Sequence, residues 1–419
     1  MAERPLALPL RGIWIAEGRH SPVLRSADGI ARALERLVGR GFTTLFPAVW
    51  NRGATAFPSR VMERHGFAAQ DPLYGDFDPL AELVRQARPL GLAVIPWFEY
   101  GFAASPHADG GQLLTARPDW AARDPRGALV RHGSLLWMNG LHPEVQQLLI
   151  DLAVEVLETY AVQGIQGDDR WPALPWNAGY DPWTRRAWRD AGGGDPPPPR
   201  DSAWMAFRAD LLTEHLRTLR QVVHMVRPGA LVSMAPAPLP HGFRELLQDS
   251  GRWMREDLVD LLHPQLYRSN PRAYGALLER TMRGWSAEQR ARLAPGISFR
   301  VHGRTLPPAT VAAMLSRHRP LGLAGEVFFH YDGLEEALPQ EVDPLGPRVP
   351  GRWPVLTQIV QPASLQGRCT LPGGLRSQLP AGYWIAAVLV LKHAIQHEDL
   401  FPAGMAMELK HRARSPRHC

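Results

Sequence analysis

Two carboxylates stand side by side in Gly164-Ile165-Gln166-Gly167-Asp168-Asp169-Arg170-Trp171-Pro172. Adjacent like charges are costly to hold near low dielectric, so one of the two tends to keep its proton. A site with one protonated and one ionised carboxyl near neutral pH has both an acid and a base to offer. Glu99 closes the apolar run Leu92–Tyr100 and is a third carboxyl standing where a strand runs out.

These residues need elements to position them. The amphipathic stretch from His142 to Tyr160 predicts a helix, and Ile165 with its glycine-spaced neighbours predicts a short buried strand ending in the acids. A helix feeding a strand that ends in acids is the unit of a parallel α/β barrel, whose reactive groups collect at strand C-termini. The same alternation recurs along the chain. Strands are expected at Gly12–Ala16, Phe42–Trp50, Leu92–Tyr100, around Ile165, and at Ala230–Met234, Leu258–Tyr267, Leu293–Arg300 and Gly325–Tyr331. Helices are expected between them. One runs from Gly29 to Arg40 with Asp28 as its cap, one starts at Pro79, and a long one spans Trp204–Val226. The fold class is therefore α/β, a (β/α)8 TIM barrel over residues 8–338. A long excursion from Trp171 to Ser202 contains Gly192-Gly193-Gly194 and Pro196–Pro199, a composition that fits neither helix nor central strand. Residues 339–419 read as an irregular, low-order C-terminal tail rich in Pro, Gly and Arg.

On such a barrel, Glu17, Asn51, Glu99, Asp168, Asp169, Gln265, Tyr267 and Asp332 all fall at or just after strand C-termini and converge on one face. Trp14, Trp97, Trp171 and Tyr331 share that face, and His142 opens the helix before the acids. Flat aromatic faces suit the C–H faces of sugar rings, and carboxylates and amides suit their hydroxyls. The competing reading for each Trp is core filling. No G-x-G-x-x-G or Walker motif follows a strand, no G-x-S-x-G appears, and no H-E-x-x-H is present. No cofactor and no metal ligand set is expected.

The 419 residues are 45% hydrophobic and 21% charged, which suffices for a large core. The formal charge of +6 comes from dispersed Arg and reads as a solvated surface, without the basic stripe of a nucleic-acid binder. Cys369 and Cys419 come late and offer no disulfide framework to the barrel. Tyr383–Leu391, the longest late apolar run, is too short to span a bilayer. Met1–Leu10 lacks the apolar core of a signal peptide. The expectation is a cytoplasmic protein, or an exported one if the true N-terminus lies upstream. Oligomeric state is not legible.

The chain resembles the glycosyl-hydrolase-like family 10 proteins of bacteria. Six stretches carry the resemblance in family order. They are Arg11-Gly12-Ile13-Trp14, Pro96–Phe102, His142-Pro143-Glu144-Val145, Gly164–Asp169, Leu262–Arg268 and Val327-Phe328-Phe329-His330-Tyr331. The resemblance implies a glycosidase acting on a bacterial polysaccharide, with amino-sugar polymers of cell wall or biofilm as the class, and it maps the family's acidic pair onto Asp168 and Asp169. Relatives commonly carry a bulky apolar residue where this chain has Gly167. One Asp would then protonate the leaving oxygen and the other stabilise the oxocarbenium-like charge, with Glu99 as partner carboxylate. A carboxyl separation of about 5–5.5 Å fits retention and about 6.5–9.5 Å fits inversion. In a third route a 2-acetamido group of the substrate attacks, one Asp orients it, and Tyr267 holds the amide. Which route applies and which Asp is the acid stay open. The rival from another class is an inactive barrel that binds carbohydrate, and a metal-dependent deacetylase is a weaker third reading.

Overall fold

The computed structural model describes residues 10–339. Eight parallel strands carry the site: β1 (Leu10–Ile15), β2 (Thr44–Pro47), β3 (Ala93–Val94), β4 (Gly164–Gly167), β5 (Leu231–Met234), β6 (Leu261–Leu262), β7 (Gly296–Ser298) and β8 (Gly325–Phe329). One ladder runs β7-β8-β1-β2-β3 and a second runs β4-β5-β6, all parallel. Single bridges join the two. Trp97 pairs with both Ala48 and Gln166, and Gln265 pairs with Gly296. At the first join Phe98 N–H donates to Gln166 O and Gln166 N–H to Pro96 O, each at 2.8 Å. Pro96 and Pro264 stand at these joins and have no N–H to give a ladder, which is why pairing thins there. This is the eight-strand order that the alternation predicts, with strands shorter than their apolar runs.

Helices close over the outside through local signals. The first, α1 (Ala27–Gly39), buries Ile30, Leu34 and Leu37 at helical spacing. Its cap is Ser26, whose side chain accepts the Gly29 N–H at 3.1 Å. Asp28, expected as the cap, sits two residues further on in the first turn, where its charge favours the positive helix end. Asp78 caps α2 (Pro79–Ala87), and His142 caps α3 (Pro143–Thr159).

Two insertions rise from the strand C-termini. After β3 the chain forms a small antiparallel sheet of Ala103–Ser105, Leu135–Trp137 and Arg131–His132, which the sequence reading leaves as loop. The excursion after β4 is also more regular than expected. It contains α4 (Pro182–Asp190), whose Asp181 cap accepts the Thr184 N–H at 3.0 Å. The segments on either side of α4, including the glycine- and proline-rich part that follows it, are irregular.

Arg208 holds this excursion. It lies on α5 (Ser202–Val226) and is fully buried. Among the described residues no carboxylate pairs with it. Its guanidinium instead donates to the carbonyls of Trp176, Ala178, Pro199 and Trp204 at 2.6–3.1 Å and lies over the Trp204 ring at 4.8 Å. Burial pulls its pKa down to about 10.

The inside of the barrel is filled by Trp14, Phe46, Ile95, Trp97, Ala235, Ala294 and Val327. Among the described residues no helix is long and apolar enough to cross a membrane. Cys369, Cys419, Tyr383–Leu391 and the tail from residue 340 lie outside the described residues.

Arg208→Met removes the guanidinium donors to the carbonyls of Trp176, Ala178 and Pro199, of which the Ala178 bond is fully buried. An unsatisfied buried group costs ~1–3 kcal/mol. We expect the variant to lose ~3 kcal/mol or more in denaturant unfolding, and limited proteolysis to cut first within residues 171–201. Wild-type stability would show that the loop is held by its apolar contacts alone.

Candidate active site

Asp168 follows β4 directly and is 0% exposed. Both of its oxygens are occupied. Oδ1 accepts the Arg170 N–H at 2.8 Å, and Oδ2 accepts Arg170 Nη2 at 3.0 Å and Trp97 Nε1 at 3.2 Å. Burial pushes its carboxyl well above the usual range; Arg170 pulls it back, and Asp169 adds to the rise. Its backbone is held as well, because buried Gln248 donates to the carbonyls of Asp168 (2.9 Å) and Pro172 (3.1 Å).

Asp169 flanks the same guanidinium and is the more exposed of the pair. Its side chain is 30% exposed, with Oδ1 3.6 Å from Arg170 Nε and otherwise without a hydrogen bond. Glu99 is partly exposed, and its Oε2 accepts Asn51 Nδ2 at 2.7 Å. Burial pushes the Glu99 carboxyl up, against the pull of Arg170 and Asn51. Arg170 joins the three acids. Its Nε donates to the Glu99 carbonyl at 2.7 Å, and its carbonyl accepts the Phe102 N–H at 2.9 Å. Burial works against its charge, and Asp168, Asp169 and Glu99 outweigh that, so it stays a cation. The loops after β3 and β4 meet here without room for side chains. A Cβ on Gly101, whose φ is +46°, would stand 2.4 Å from the Arg170 carbonyl. Gly167 has the same reason: its Cβ would meet the Trp171 carbonyl at 2.4 Å and Met234 Sδ at 2.7 Å. The bulky residue that relatives carry has no space in this chain.

Beside the acids, Tyr267 stacks on Phe329 with ring centroids 5.3 Å apart, and both rings are partly exposed. Burial pushes the Tyr267 phenol well above its usual range, and Asp169 and Asp168 add to this. It is a neutral hydroxyl at any working pH. Gln265 is partly exposed and donates to the Ala235 carbonyl at 3.0 Å.

The other expected contacts sort differently. Trp14 is 1% exposed, donates to Gln166 Oε1 at 2.7 Å, and packs inside the barrel, so it offers no face to a ligand. Trp171 is fully buried against Phe98 and donates to His215 Nε2 at 2.9 Å. Burial holds that His neutral, with a pKa of about 3. Trp97 is 3% exposed and acts on the site through its hydrogen bond to Asp168. These three indoles are wall, not platform. His142 is spent on its cap, its Nδ1 accepting the Glu144 N–H at 3.3 Å. Tyr331 raises the pKa of Arg36 on α1. Glu17 is 2% exposed at the β1 end, and Asp332 accepts Ser21 Oγ at 3.0 Å and meets His330 Nδ1 at 3.1 Å.

Three residues outside the expected site residues matter most. Arg170 had a signal, since a cation directly after two acids is placed to pair with them. Phe329 had a weaker one in strand alternation. Gln248 had none, because its partners lie about eighty residues away. Among the described residues no group of three or more His, Cys, Asp or Glu is placed to hold a metal ion.

Comparison with known proteins adds the following. The family model described as Glycosyl hydrolase-like 10 matches residues 9–306. Glycosyl hydrolase DigH of Escherichia coli K12 is 24% identical over 341 residues, covering 70% of this chain and 73% of that protein. The fold is similar to the PgaB (BpsB) glycoside hydrolase domain from Bordetella bronchiseptica, with a TM-score of 0.57, 12% identity, and 81% of this chain and 98% of that one covered. Alpha-L-fucosidase isoenzyme 2 from Paenibacillus thiaminolyticus gives the same TM-score at 15% identity over 81% of this chain, which spans 48% of that protein. At these identities the structures speak for the TIM-barrel fold of glycoside hydrolases.

The raised Glu99 carboxyl sets a pH dependence. An unfolded Glu titrates near ~4.3, and the folded one titrates higher. Stability from the protonated form is therefore complete below about 4.3 and is lost as pH rises through the folded value. Glu99→Gln cannot ionise and escapes this loss. We expect its melting temperature to exceed that of the wild type by more at pH 8 than at pH 4. An equal difference at both values would show that Glu99 titrates alike in folded and unfolded chains.

Proposed function

Because this chain belongs to the glycosyl hydrolase-like 10 family, we propose that its barrel mouth hydrolyses glycosidic bonds in a bacterial polysaccharide, an amino-sugar polymer of cell wall or biofilm. The observation that carries this reading is the split within the acidic pair. Asp168 is sealed on donors from Trp97 and Arg170, and Asp169 keeps 30% of its side chain exposed.

Asp169 is the acid. Its proton goes to the glycosidic oxygen as the bond to the anomeric carbon breaks, and the leaving sugar departs as an alcohol. Glu99 is the partner carboxylate near the oxocarbenium-like centre. Water adds its hydroxyl to the anomeric carbon, and its second proton returns to the carboxyl pair. Asp168 does not touch substrate. It is a positioning residue that holds Arg170 and balances its charge. Tyr267 and Phe329 take the contacts that a sugar ring and its 2-substituent need, in place of Trp14 and Trp171.

The test is product release from acetylated and deacetylated cell-wall glycan and from biofilm glucosamine polymer. We expect oligosaccharides from the wild type. Asp169→Asn should lower kcat by ~10²–10⁴ with little change in KM, the range for loss of a general acid. Asp168→Asn should also lower activity, by releasing Arg170. Wild-type turnover in Asp169→Asn would refute the assignment. Polymer binding without product in the wild type would replace the enzyme with a carbohydrate-binding barrel.

A further inference from the structure

The chain just after β8 carries a hydrogen-bonded pair that the proposed reaction does not use. His330 Nδ1 lies 3.1 Å from Asp332 Oδ2, and Asp332 Oδ1 accepts the Ser21 hydroxyl at 3.0 Å. Ser21 is buried on the loop after β1, so Asp332 ties two strand ends together. An ionised carboxylate only accepts, so Nδ1 carries the proton and the ring keeps one tautomer. Nε2 is then the free acceptor. Among the described residues it has no hydrogen-bond partner and is not sealed from solvent, and 30% of the side chain is exposed.

Ring contacts place this imidazole at the mouth. Successive side chains of an extended strand point to opposite faces. Phe328 obeys this and packs on Phe42 and Phe299, away from the partners of Phe329. His330 does not alternate: its ring centroid is 4.9 Å from that of Phe329, edge to face. Phe329 in turn stacks on Tyr267 at 5.3 Å and meets Trp97 at 6.4 Å. Trp97 is the indole that donates to Asp168. Tyr267, Phe329 and His330 are all partly exposed and touch in that order. An aromatic floor holds a sugar ring by its C–H face and leaves the hydroxyls pointing sideways. A fixed acceptor at the edge of the floor meets such a hydroxyl.

We propose that His330 is a sugar-binding residue at the edge of the Tyr267–Phe329 floor. Its Nε2 accepts a hydrogen bond from a hydroxyl of the ring lying on that floor, and Asp332 and Ser21 act only by holding the imidazole. The ligand class rests on the glycosidase reading. Asp332, expected from sequence to touch substrate, is then a positioning residue.

The experiment uses the full chain carrying Asp169→Asn, so that ligand is not consumed. Binding of the β-1,4- and β-1,6-linked hexamers of N-acetylglucosamine is measured by calorimetry. Adding His330→Asn keeps an amide donor for Asp332 where Nδ1 stood and removes the outward acceptor. It should weaken binding about tenfold (~1.4 kcal/mol) without lowering the melting temperature. Adding His330→Gln, whose longer amide reaches the place of Nε2, should leave tighter binding than His330→Asn. Asp332→Ala should weaken binding through the freed ring, and together with His330→Asn it should do no more than His330→Asn alone, as expected for residues acting as one unit. Thermal melts report folding of each variant. Parental affinity in the His330→Asn protein, equal affinities in the two His330 variants, or effects that multiply in the combined variant would overturn the proposal while leaving the glycosidase reading intact. If neither hexamer binds the parent, the proposed contact falls with its ligand class. Product release by the wild type decides the broader reading separately.

Discussion

Everything at the barrel mouth depends on one buried carboxylate. Asp168 has no solvent, so its charge must be met inside the protein, and Arg170 and Trp97 meet it. Such a pair adds little to stability against an apolar alternative, and breaking one side of it is costly. Its effect is geometric. Because Arg170 must stay on Asp168, its Nε reaches the Glu99 carbonyl and its own carbonyl reaches Phe102. The ends of β3 and β4 are thereby locked together, and the acids they carry keep one spacing.

The barrel interior serves that pair. Trp14 from β1, Gln166 from β4 and Ser233 from β5 form a chain of hydrogen bonds below the site, at 2.7 and 3.0 Å. Gln166 is fully buried, and every polar atom of its amide has a partner there. A satisfied polar network in low dielectric is rigid and tolerates no slip of register. The strands joined most thinly, at Trp97–Gln166, are also joined by side chains, since Trp97 from the end of β3 donates to Asp168. Outside the barrel, buried Arg208 does for the long excursion what Arg170 does for the loops, using carbonyls instead of carboxylates.

The division between sealed and open acids also explains why the aromatic residues divide. Glycoside chemistry needs a dry wall and a wet face in the same few ångströms. Trp14, Trp97 and Trp171 make the wall, with their N–H groups turned to Gln166, Asp168 and His215. Tyr267 and Phe329 remain at the surface of the mouth. A Trp is large enough to be core and polar enough to need a partner, so its presence at a strand end does not say which role it takes.

The local code of the chain determined the strand order and the place of the acids. Apolar runs of the right length, a proline at the first turn of α2 and glycines after helices are contacts between near neighbours, and near neighbours are written next to each other. Asp168, Asp169 and Glu99 were legible for the same reason: a residue at the end of a buried strand lies at the C-terminal mouth wherever the strand goes. Only the tertiary structure decided which of them stays open. Asp168 is sealed and Asp169 is 30% exposed although they are neighbours in sequence, and loops after β3 and β5 decide which of them is closed off. His142 was read into the site because it lies at a helix start; the cap on α3 claims it instead. Gln248 was invisible because its whole role is to touch carbonyls far away in sequence. Hydrogen bonds and burial between distant segments have no local period, and the choice between wall and platform is made by them.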